Sequence, residues 1–156
     1  MKLIKAVNTD LDMVMDIRLE MLRAVNGLSG GIPFDKEFIN NTREYFKSSG
    51  QTTVLAVEDS EAIGCASICY INVMPTFDHP TGKRAHIMNV YTRADYRRQG
   101  IALKMMAWLM MEARQKGITE ISLDATEAGQ ALYEKCGFVR AEECMVWHEA
   151  GHKEEK

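Results

Sequence analysis

Residues 89–102 read NVYTRADYRRQGIA and are the most informative part of the chain. A strand-like run over residues 85–92 ends in it, a basic turn follows, and Gly100 opens an apolar helix. The first turn of a helix exposes unpaired backbone N–H groups at the positive end of its dipole, which favours anions. Gly100 leaves space for a phosphate there, and Arg97 and Arg98 add positive charge. The stretch therefore predicts a strand, a diphosphate-binding turn and a helix.

Two common phosphate-binding patterns are absent from this stretch. No lysine and hydroxyl residue follow the glycine, as a P-loop requires, and no G-x-G-x-x-G dinucleotide fingerprint occurs. A structural alternative also stays open, in which Arg97, Arg98 and Lys104 form a solvated basic turn ahead of a core helix. From the residues alone, the stretch is compatible with an anion site or with an ordinary helix start.

Hydrophobic periodicity and turn residues divide the rest of the chain into alternating elements. Strands are predicted over residues 3–7, 52–57, 63–73, 85–92, 118–125 and 138–147, and helices from residue 11 onwards and over residues 35–47, 100–116 and 127–136. The order β-α-α-β-β-β-α-β-α-β predicts an α/β fold with a mixed sheet and helices on its faces. We expect one domain over residues 1–150, followed by a disordered charged tail over residues 151–156.

Composition argues against several classes of protein. With 156 residues, of which 46% are hydrophobic, the chain is long enough for one domain with a buried core. No run approaches the roughly 20 apolar residues that cross a bilayer, so no membrane association is predicted. The N-terminus turns polar too early for a secretion signal. The net charge of −3 argues against a nucleic-acid partner.

The cysteines and histidines show no metal-binding pattern. The four cysteines, Cys65, Cys69, Cys136 and Cys144, lack C-x-x-C spacing, which favours reduced thiols in a cytoplasmic protein. The four histidines lack the spacing of metal ligands. We therefore expect no metal cofactor.

Two segments of the chain resemble those of a known family. Residues 97–102, RRQGIA, resemble the [QR]-x-x-G-x-[GA] acyl-CoA signature of the GNAT superfamily of N-acetyltransferases, and lie between a strand and a long helix as in that family. The lead-in at residues 95–97 is similar as well, although Ala94 stands where a proline is common. Residues 131–138, ALYEKCGF, resemble the family's segment around L-Y-x-x-x-G-F. Together with the element order, the resemblance covers nearly the whole chain.

The resemblance implies both a fold and a reaction. The fold would be a single-domain mixed sheet, mostly antiparallel, flanked by helices and containing a central, splayed pair of parallel strands. The protein would transfer the acetyl group of acetyl-CoA, its co-substrate, to a primary amine by direct attack. An alkylammonium group with a pKa of about 10.4 is almost fully protonated at neutral pH. A general base and a general acid would therefore each contribute roughly 10²–10⁴-fold to the rate.

The resemblance also implies which residues hold the cofactor. Backbone amides of the signature loop would bind the pyrophosphate. The pantetheine arm would pair with the preceding strand and enter the gap between the strands at residues 85–92 and 118–125. Thr126 stands where the family often has an asparagine that contacts the cofactor, and the alternative is that it caps the following helix. The predicted cofactor residues are Val90, Tyr91, Thr92, Arg97, Arg98, Gln99, Gly100, Ile101, Ala102, Leu103 and Thr126.

Two side chains are implied as catalytic. Tyr133 matches the family's general-acid tyrosine, and the alternative is a tyrosine packed on the core. His86 occupies the position where some members carry a glutamate base, and the alternative is a strand histidine without a catalytic task. Other members place a glutamate on the strand before the tyrosine, where this chain has Ile121. Asn89 is a weaker candidate for positioning a water or the amine. Cys136 is interpreted as a small buried side chain and not as a nucleophile, because the sequence shows no base beside it.

The acceptor is the least determined part of the reaction. Residues 26–34 and 74–83 would frame it, and neither segment holds the cluster of carboxylates typical of a site for polycations. A small-molecule amine is favoured over a protein N-terminus. The rival hypotheses are a non-catalytic acyl-CoA-binding module, favoured by the lack of an obvious carboxylate base, and a plain α/β interaction domain. A homodimer is common in the family, but no exposed stripe in the sequence predicts an interface.

Overall fold

A computed structural model describes residues 1–151 of the chain. In this range there are five β-strands, four α-helices and three short 3-10 turns. The strands are β1 (Lys2–Lys5), β2 (Thr52–Glu58), β3 (Glu61–Asn72), β4 (Lys83–Thr92) and β5 (Glu120–Leu123). The helices are α1 (Leu11–Asn26), α2 (Lys36–Ser48), α3 (Ile101–Gln115) and α4 (Gln130–Lys135), and the 3-10 turns are Asn8–Asp10, Ala94–Tyr96 and Glu127–Gly129. None of these helices is long and apolar enough to cross a membrane.

The strands form one mixed sheet in the order β1-β2-β3-β4-β5. The first three neighbouring pairs are antiparallel, whereas β4 and β5 are parallel. The parallel pairing joins residues 84–87 to residues 120–123, and β4 then runs on to Thr92 without β5 beside it. The predicted mixed, mostly antiparallel sheet with a parallel pair is confirmed. The pair lies at the edge of the sheet, however, and not at its centre.

Side chains that alternate along the strands pack into two cores, one on each face of the sheet. On one face, Val54, Ile68 and Ile87 lie under the apolar stripe of α3, where Met105 and Leu109 are buried. Helix α1 covers the other face, and α2 packs against α1. The end of β4 emerges between these two layers, which positions it for the site described below.

The predicted last strand at residues 138–147 is wrong for the single chain, because these residues form no strand. A strand needs the N–H and C=O groups of a neighbour, and β propensity alone does not supply them. Beyond Phe138, which packs on the α3 core, the large apolar side chains of this segment are exposed. The segment therefore has the apolar side chains that favour a strand but no neighbouring strand with which to pair. Because residues 138–147 form no strand, β5 is the edge of the sheet.

The other elements agree with the prediction apart from their ends. The predicted helix at residues 127–136 consists of the 3-10 turn at Glu127–Gly129 followed by the short α4. Thr126 caps that turn, because its Oγ1 accepts a hydrogen bond from the backbone N of Gly129 at 3.3 Å. Of the predicted charged tail, residues 152–156 lie outside the described residues.

Candidate active site

A cleft of about 640 Å³ opens where β4 runs beyond the end of β5. Its walls are the end of β4, the turn and first residues of α3, and α4 with the turn before it. Tyr133 lines the cleft, as do ten of the eleven residues predicted to contact the cofactor, and Gln99 is the exception. The ten are Val90, Tyr91, Thr92, Arg97, Arg98, Gly100, Ile101, Ala102, Leu103 and Thr126. The fold thus brings the predicted loop, strand and tyrosine to one place.

The turn before α3 exposes backbone N–H groups to this cleft. Gly100 precedes the helix with a φ of 76°, and Arg98 has a φ of 60°. Both values lie in the left-handed region, which glycine adopts without strain. Lys104 donates its backbone N–H to the carbonyl of Gly100 at 3.1 Å, so the N–H groups between them are left for a ligand. A Cβ at Gly100 would meet no protein atom within 4 Å, so open space lies beside these groups.

The two arginines of the turn have different surroundings. Arg97 donates from Nε to the carbonyl of Thr92 at 2.9 Å, and its guanidinium carbon lies 6.0 Å from the ring centre of Tyr91. It therefore ties the turn to the end of β4. Within residues 1–151, Arg98 has no hydrogen-bond or ion-pair partner, which leaves its charge available to a phosphate.

Strand β4 contains a bulge at the point where it leaves β5. The register of its pairing with β3 shifts between Cys65 and Ser67, and Asn89 in β4 has a φ of 61°. The thiol of Cys65 donates to the carbonyl of Asn89 at 3.2 Å, and Nδ2 of Asn89 donates to Oγ of Ser67 at 3.1 Å. From the other side, Nη1 of Arg18 donates to Oδ1 of Asn89 at 3.2 Å. A bulge re-aims the backbone that follows it, and here that backbone begins with Val90 in the cleft wall.

Thr92 ends β4 in the cleft with an unsatisfied hydroxyl. Its Oγ1 is buried and has no hydrogen-bond partner among residues 1–151. Leaving a buried polar atom unpaired costs roughly 1–3 kcal/mol. A ligand that supplies a hydrogen bond at this point would remove that cost. The end of β4 therefore fits a ligand with polar groups along an extended arm, such as the pantetheine of coenzyme A.

Tyr133 lies in the wall of the cleft with its ring also packed on the α3 core. The ring centre is 6.3 Å from that of Phe138, in an edge-to-face arrangement. Gly129 permits this position, because a Cβ there would lie 2.8 Å from Cε2 of Tyr133. Burial, and to a smaller extent the Cys136 thiol, raises the pKa of Tyr133 above its usual value. The phenol therefore stays protonated and can donate a proton.

His86 lies on the opposite face of the sheet, because its neighbour Ile87 belongs to the α3 core. Its Nδ1 is 2.8 Å from Oγ of Ser122, and its Nε2 is 3.6 Å from Oδ2 of Asp124. Both partners come from β5 and the residue after it. His86 is not part of the cleft wall. The two predicted catalytic residues, His86 and Tyr133, thus lie on opposite faces of the sheet, and only Tyr133 of the two lines the cleft.

Sequence reasoning missed Arg18, which reaches the bulge from α1. It lies between the buried residues Val14 and Met21 at helical spacing, so a charged side chain falls near the apolar stripe of the helix. Within the described chain the side chain of Arg18 forms one hydrogen bond, to Asn89, and it forms no ion pair with a carboxylate. Burial lowers the pKa of Arg18, an effect that two nearby thiols partly offset. The charge inside an apolar spacing pattern was the signal that could have found it.

Other reactive side chains are dispersed over the described residues. All four cysteines are free. Burial raises the pKa of Cys136, which disfavours the thiolate that a nucleophilic role needs. No group of three or more His, Cys, Asp and Glu side chains within residues 1–151 is placed to hold a metal ion.

A family profile and several known proteins are similar to this chain in sequence. The Acetyltransferase (GNAT) family profile matches residues 13–138. Glucosamine 6-phosphate N-acetyltransferase 1 of Dictyostelium discoideum is 31% identical over 111 residues, which are 69% of this chain and 69% of that protein. Glucosamine 6-phosphate N-acetyltransferase of Arabidopsis thaliana is 28% identical over 105 residues, which are 67% of each chain.

A solved structure is similar over nearly the full length. The crystal structure of a predicted acetyltransferase from Clostridium acetobutylicum, with acetyl-CoA, matches 98% of this chain and 99% of that chain with a TM-score of 0.84 and 29% identity. The family match contains both the turn before α3 and Tyr133. On this evidence, the chain belongs to the acetyltransferase (GNAT) family, whose members transfer the acetyl group of acetyl-CoA to an amine.

Proposed function

We propose that this protein transfers the acetyl group of acetyl-CoA to the primary amine of a small molecule, by direct attack of the amine on the thioester. The cleft is the observation that supports this most directly. It joins an open helix N-terminus to the free end of β4 and reaches Tyr133. Acetyl-CoA carries a diphosphate, an extended polar arm and a thioester in this order, so each part of the co-substrate has a matching feature in the cleft.

The cofactor fits the residues of the cleft. Backbone N–H groups of residues 98–103 and the free guanidinium of Arg98 would hold the pyrophosphate. Backbone groups of residues 90–92 lie on the side of β4 that β5 leaves open, where the pantetheine arm would pair as an added strand. The unpaired hydroxyl of Thr92 offers a further hydrogen bond. Thr126 caps a turn and lines the cleft, so a cofactor contact would be its second task.

Acetyl transfer requires that the amine nitrogen loses a proton and that the leaving sulfur receives one. Attack forms a C–N bond and breaks the C–S bond, the amine loses a proton, and the departing thiolate gains one. We assign removal of the amine's proton to His86, directly or through a water, with Asp124 at 3.6 Å to stabilise the imidazolium. We assign donation to the thiolate to Tyr133, whose raised pKa keeps it protonated. The amine would then approach from the α1 face, opposite to the face of Tyr133.

Arg18 supports an acceptor that carries a negative charge beside its amine. Its guanidinium lies at the β4 bulge on the α1 face without a carboxylate partner in the described chain. A cation held partly out of water interacts strongly with an anion that reaches it. The two relatives above are named for glucosamine 6-phosphate, an amine with a phosphate group. Phosphorylated amino sugars and amino acids are therefore the first acceptors to test.

The location of the protein and its other partners are predicted from composition alone. A cytoplasmic location, and the absence of nucleic-acid and membrane partners, stay predictions from the cysteine pattern, the net charge and the hydropathy. Fractionation of cells that produce the protein, followed by detection in each fraction, tests the location.

Calorimetry with acetyl-CoA, followed by thiol release in the same sample, tests the proposed function. The panel of acceptors is glucosamine 6-phosphate, glucosamine, amino acids and peptides with free N-termini. We expect saturable acetyl-CoA binding and thiol release with at least one small amine. Release with peptides alone would reject the small-molecule acceptor. Binding without release from any acceptor would favour the non-catalytic acyl-CoA-binding module, and no binding would overturn both hypotheses.

A further inference from the structure

A carboxylate outside the cleft wall holds two residues at the point where β4 ends. Glu20 of α1 accepts hydrogen bonds from Nε and Nη2 of Arg93, each at 2.9 Å. It also accepts one from the hydroxyl of Tyr91 at 3.2 Å. Tyr91 lines the cleft, whereas Glu20 does not. A bidentate carboxylate–guanidinium pair fixes the orientation of both groups as well as the distance between them.

Arg93 is the residue from which the turn before α3 begins. Its backbone N–H donates to the carbonyl of Ile63 in β3 at 2.9 Å. Its carbonyl accepts a hydrogen bond from the backbone N–H of Tyr96, also at 2.9 Å, which closes the 3-10 turn Ala94–Tyr96. Because Glu20 holds the side chain of Arg93, it fixes the direction in which the chain leaves β4.

The ring of Tyr91 is the second connection between Glu20 and this turn. The guanidinium carbon of Arg97 lies 6.0 Å from the centre of that ring, within the range of a cation–π contact. Nε of Arg97 also donates to the carbonyl of Thr92 at 2.9 Å. Because Glu20 accepts a hydrogen bond from the Tyr91 hydroxyl, the ring beside Arg97 has a fixed position. Both ends of the segment 93–97 therefore depend on one carboxylate.

Glu61 allows a direct comparison, because it shares Arg93 with Glu20. Its Oε2 accepts a hydrogen bond from Nη1 of Arg93 at 3.1 Å, but Glu61 forms none with Tyr91 within residues 1–151. The side chain of Glu61 is 72% exposed, against 37% for Glu20. Solvent screens an exposed ion pair, so this contact contributes little to the position of Arg93. Glu20 is therefore the carboxylate that holds the turn.

We propose that Glu20 is a positioning residue for acetyl-CoA, which holds the turn before α3 in the conformation that receives the pyrophosphate. Glu20 acts through Arg93 and Tyr91, since its carboxylate lies outside the cleft wall. The turn is then ordered before acetyl-CoA arrives, and binding does not have to supply the free energy of ordering it. This role rests on the pyrophosphate site of the proposed function.

Calorimetry with acetyl-CoA on two matched alanine variants tests this role. Glu20→Ala removes the contacts to Arg93 and Tyr91, and Glu61→Ala removes one contact to Arg93. We expect the Kd of acetyl-CoA to rise at least about fivefold in Glu20→Ala, because this variant must order the turn on binding. In Glu61→Ala the Kd should change less than about twofold, because the pair is exposed. Equal Kd values in the two variants would overturn the role of Glu20.

Hydrogen exchange of the unliganded protein separates positioning from a general loss of stability. The backbone N–H groups of Tyr96 and Arg97 are hydrogen-bonded within the turn. They should exchange at least about threefold faster in Glu20→Ala than in the wild type, whereas the amides of residues 105–109 in α3 should keep their rates. Unchanged exchange in the turn, or equally faster exchange in α3, would contradict a positioning role.

The double variant Glu20→Ala/Tyr91→Phe tests the connection through the ring. Tyr91→Phe keeps the ring beside Arg97 but removes the hydroxyl that bonds Glu20. Two residues that act through one contact have non-additive effects. The Kd of the double variant should therefore rise by less than the product of the two single increases. A rise equal to the full product would contradict the connection through Tyr91.

The wild type, measured in the same series, separates this role from the proposed function. A wild type that binds no acetyl-CoA would reject the pyrophosphate site, and the role of Glu20 with it. A wild type that binds acetyl-CoA, with equal Kd values in the two alanine variants, would reject only the role of Glu20.

Discussion

Arg18 of α1 donates a hydrogen bond from Nη1 to Oδ1 of Asn89 in β4, at 3.2 Å. Among the strand residues that the structure describes, Asn89 is the one with a φ in the left-handed region. That conformation costs a non-glycine residue roughly 1–2 kcal/mol. The hydrogen bonds to Arg18 and Ser67 offset this strain. The pair therefore couples helix α1 to the strand that borders the cleft.

Replacing Arg18 by glutamine should weaken the binding of negatively charged acceptors. We expect the KM of such an acceptor to rise at least about tenfold, because a charge-assisted hydrogen bond contributes roughly 1.5–3 kcal/mol. The KM of a neutral amine and the Kd of acetyl-CoA should change little. Steady-state kinetics with both acceptors measure this, with Arg43→Gln on α2 as the control. Equal losses for charged and neutral amines would show that Arg18 acts only through the bulge.

Replacing Tyr133 by phenylalanine should lower kcat at least about tenfold, because the leaving thiolate loses its proton donor. The Kd of acetyl-CoA should stay near normal, since the ring and its packing on Phe138 are kept. Tyr70→Phe is the matched control, because the Tyr70 hydroxyl bonds Glu112 away from the cleft. Thiol release and calorimetry measure the two quantities. An unchanged kcat would remove Tyr133 as the acid.

Replacing Gly100 by valine should weaken acetyl-CoA binding at least about tenfold, because a branched side chain would occupy the proposed phosphate space. Gly50→Val is the control. Gly50 has a similar φ of 73°, against 76° for Gly100, and a Cβ at either position meets no protein atom within 4 Å. Both variants should lose about 1–2 kcal/mol of stability through backbone strain. Normal acetyl-CoA affinity in Gly100→Val would contradict the assignment of the turn at Gly100 as the pyrophosphate site.

Replacing His86 by glutamine should lower kcat/KM at least about tenfold at neutral pH, because the glutamine side chain cannot take a proton from the amine. His79→Gln is a close control, because His79 also contacts a hydroxyl and a carboxylate. Its Nδ1 lies 2.9 Å from Oγ1 of Thr119, and its Nε2 lies 3.0 Å from Oε2 of Glu120. An unchanged kcat/KM in His86→Gln, or an equal loss in both variants, would reject His86 as the base.

Cys65 should make the fold sensitive to alkali. Burial raises the pKa of its thiol from 9.0 to about 12, so the unfolded chain loses this proton first as the pH rises. Stability from the neutral thiol is complete below pH 9 and is lost as the pH rises towards 12. Between pH 8 and pH 10, the free energy of unfolding should fall by about 1 kcal/mol more in the wild type than in Cys65→Ala. Urea unfolding at both values measures the difference, and parallel pH dependences would contradict it.

Local sequence was enough for the elements that depend on neighbouring residues. The glycine and arginines of residues 97–102 indicated a helix start with a free N-terminus, and the structure has Gly100 in the left-handed region directly before α3. The segment around Tyr133 likewise indicated a short helix closed by Gly137, which follows α4. Helix caps and turns depend on interactions between residues a few positions apart, so they can be predicted from the local sequence. The cofactor contacts expected of these residues stay predictions.

Contacts between residues that are far apart in the chain could not be predicted from local sequence. The tertiary structure placed Arg18 on Asn89 and gave His86 the partners Ser122 and Asp124, all far apart in the chain. It also left residues 138–147 without a strand, although their composition favoured one. The physical reason is that a helix satisfies its backbone within one segment, whereas strand pairing and side-chain contacts across a sheet depend on which neighbour the fold supplies. Local sequence was therefore enough to predict the family, the helix starts and most of the sheet, whereas tertiary packing set the contacts of Arg18 and His86 and left β5 at the edge of the sheet.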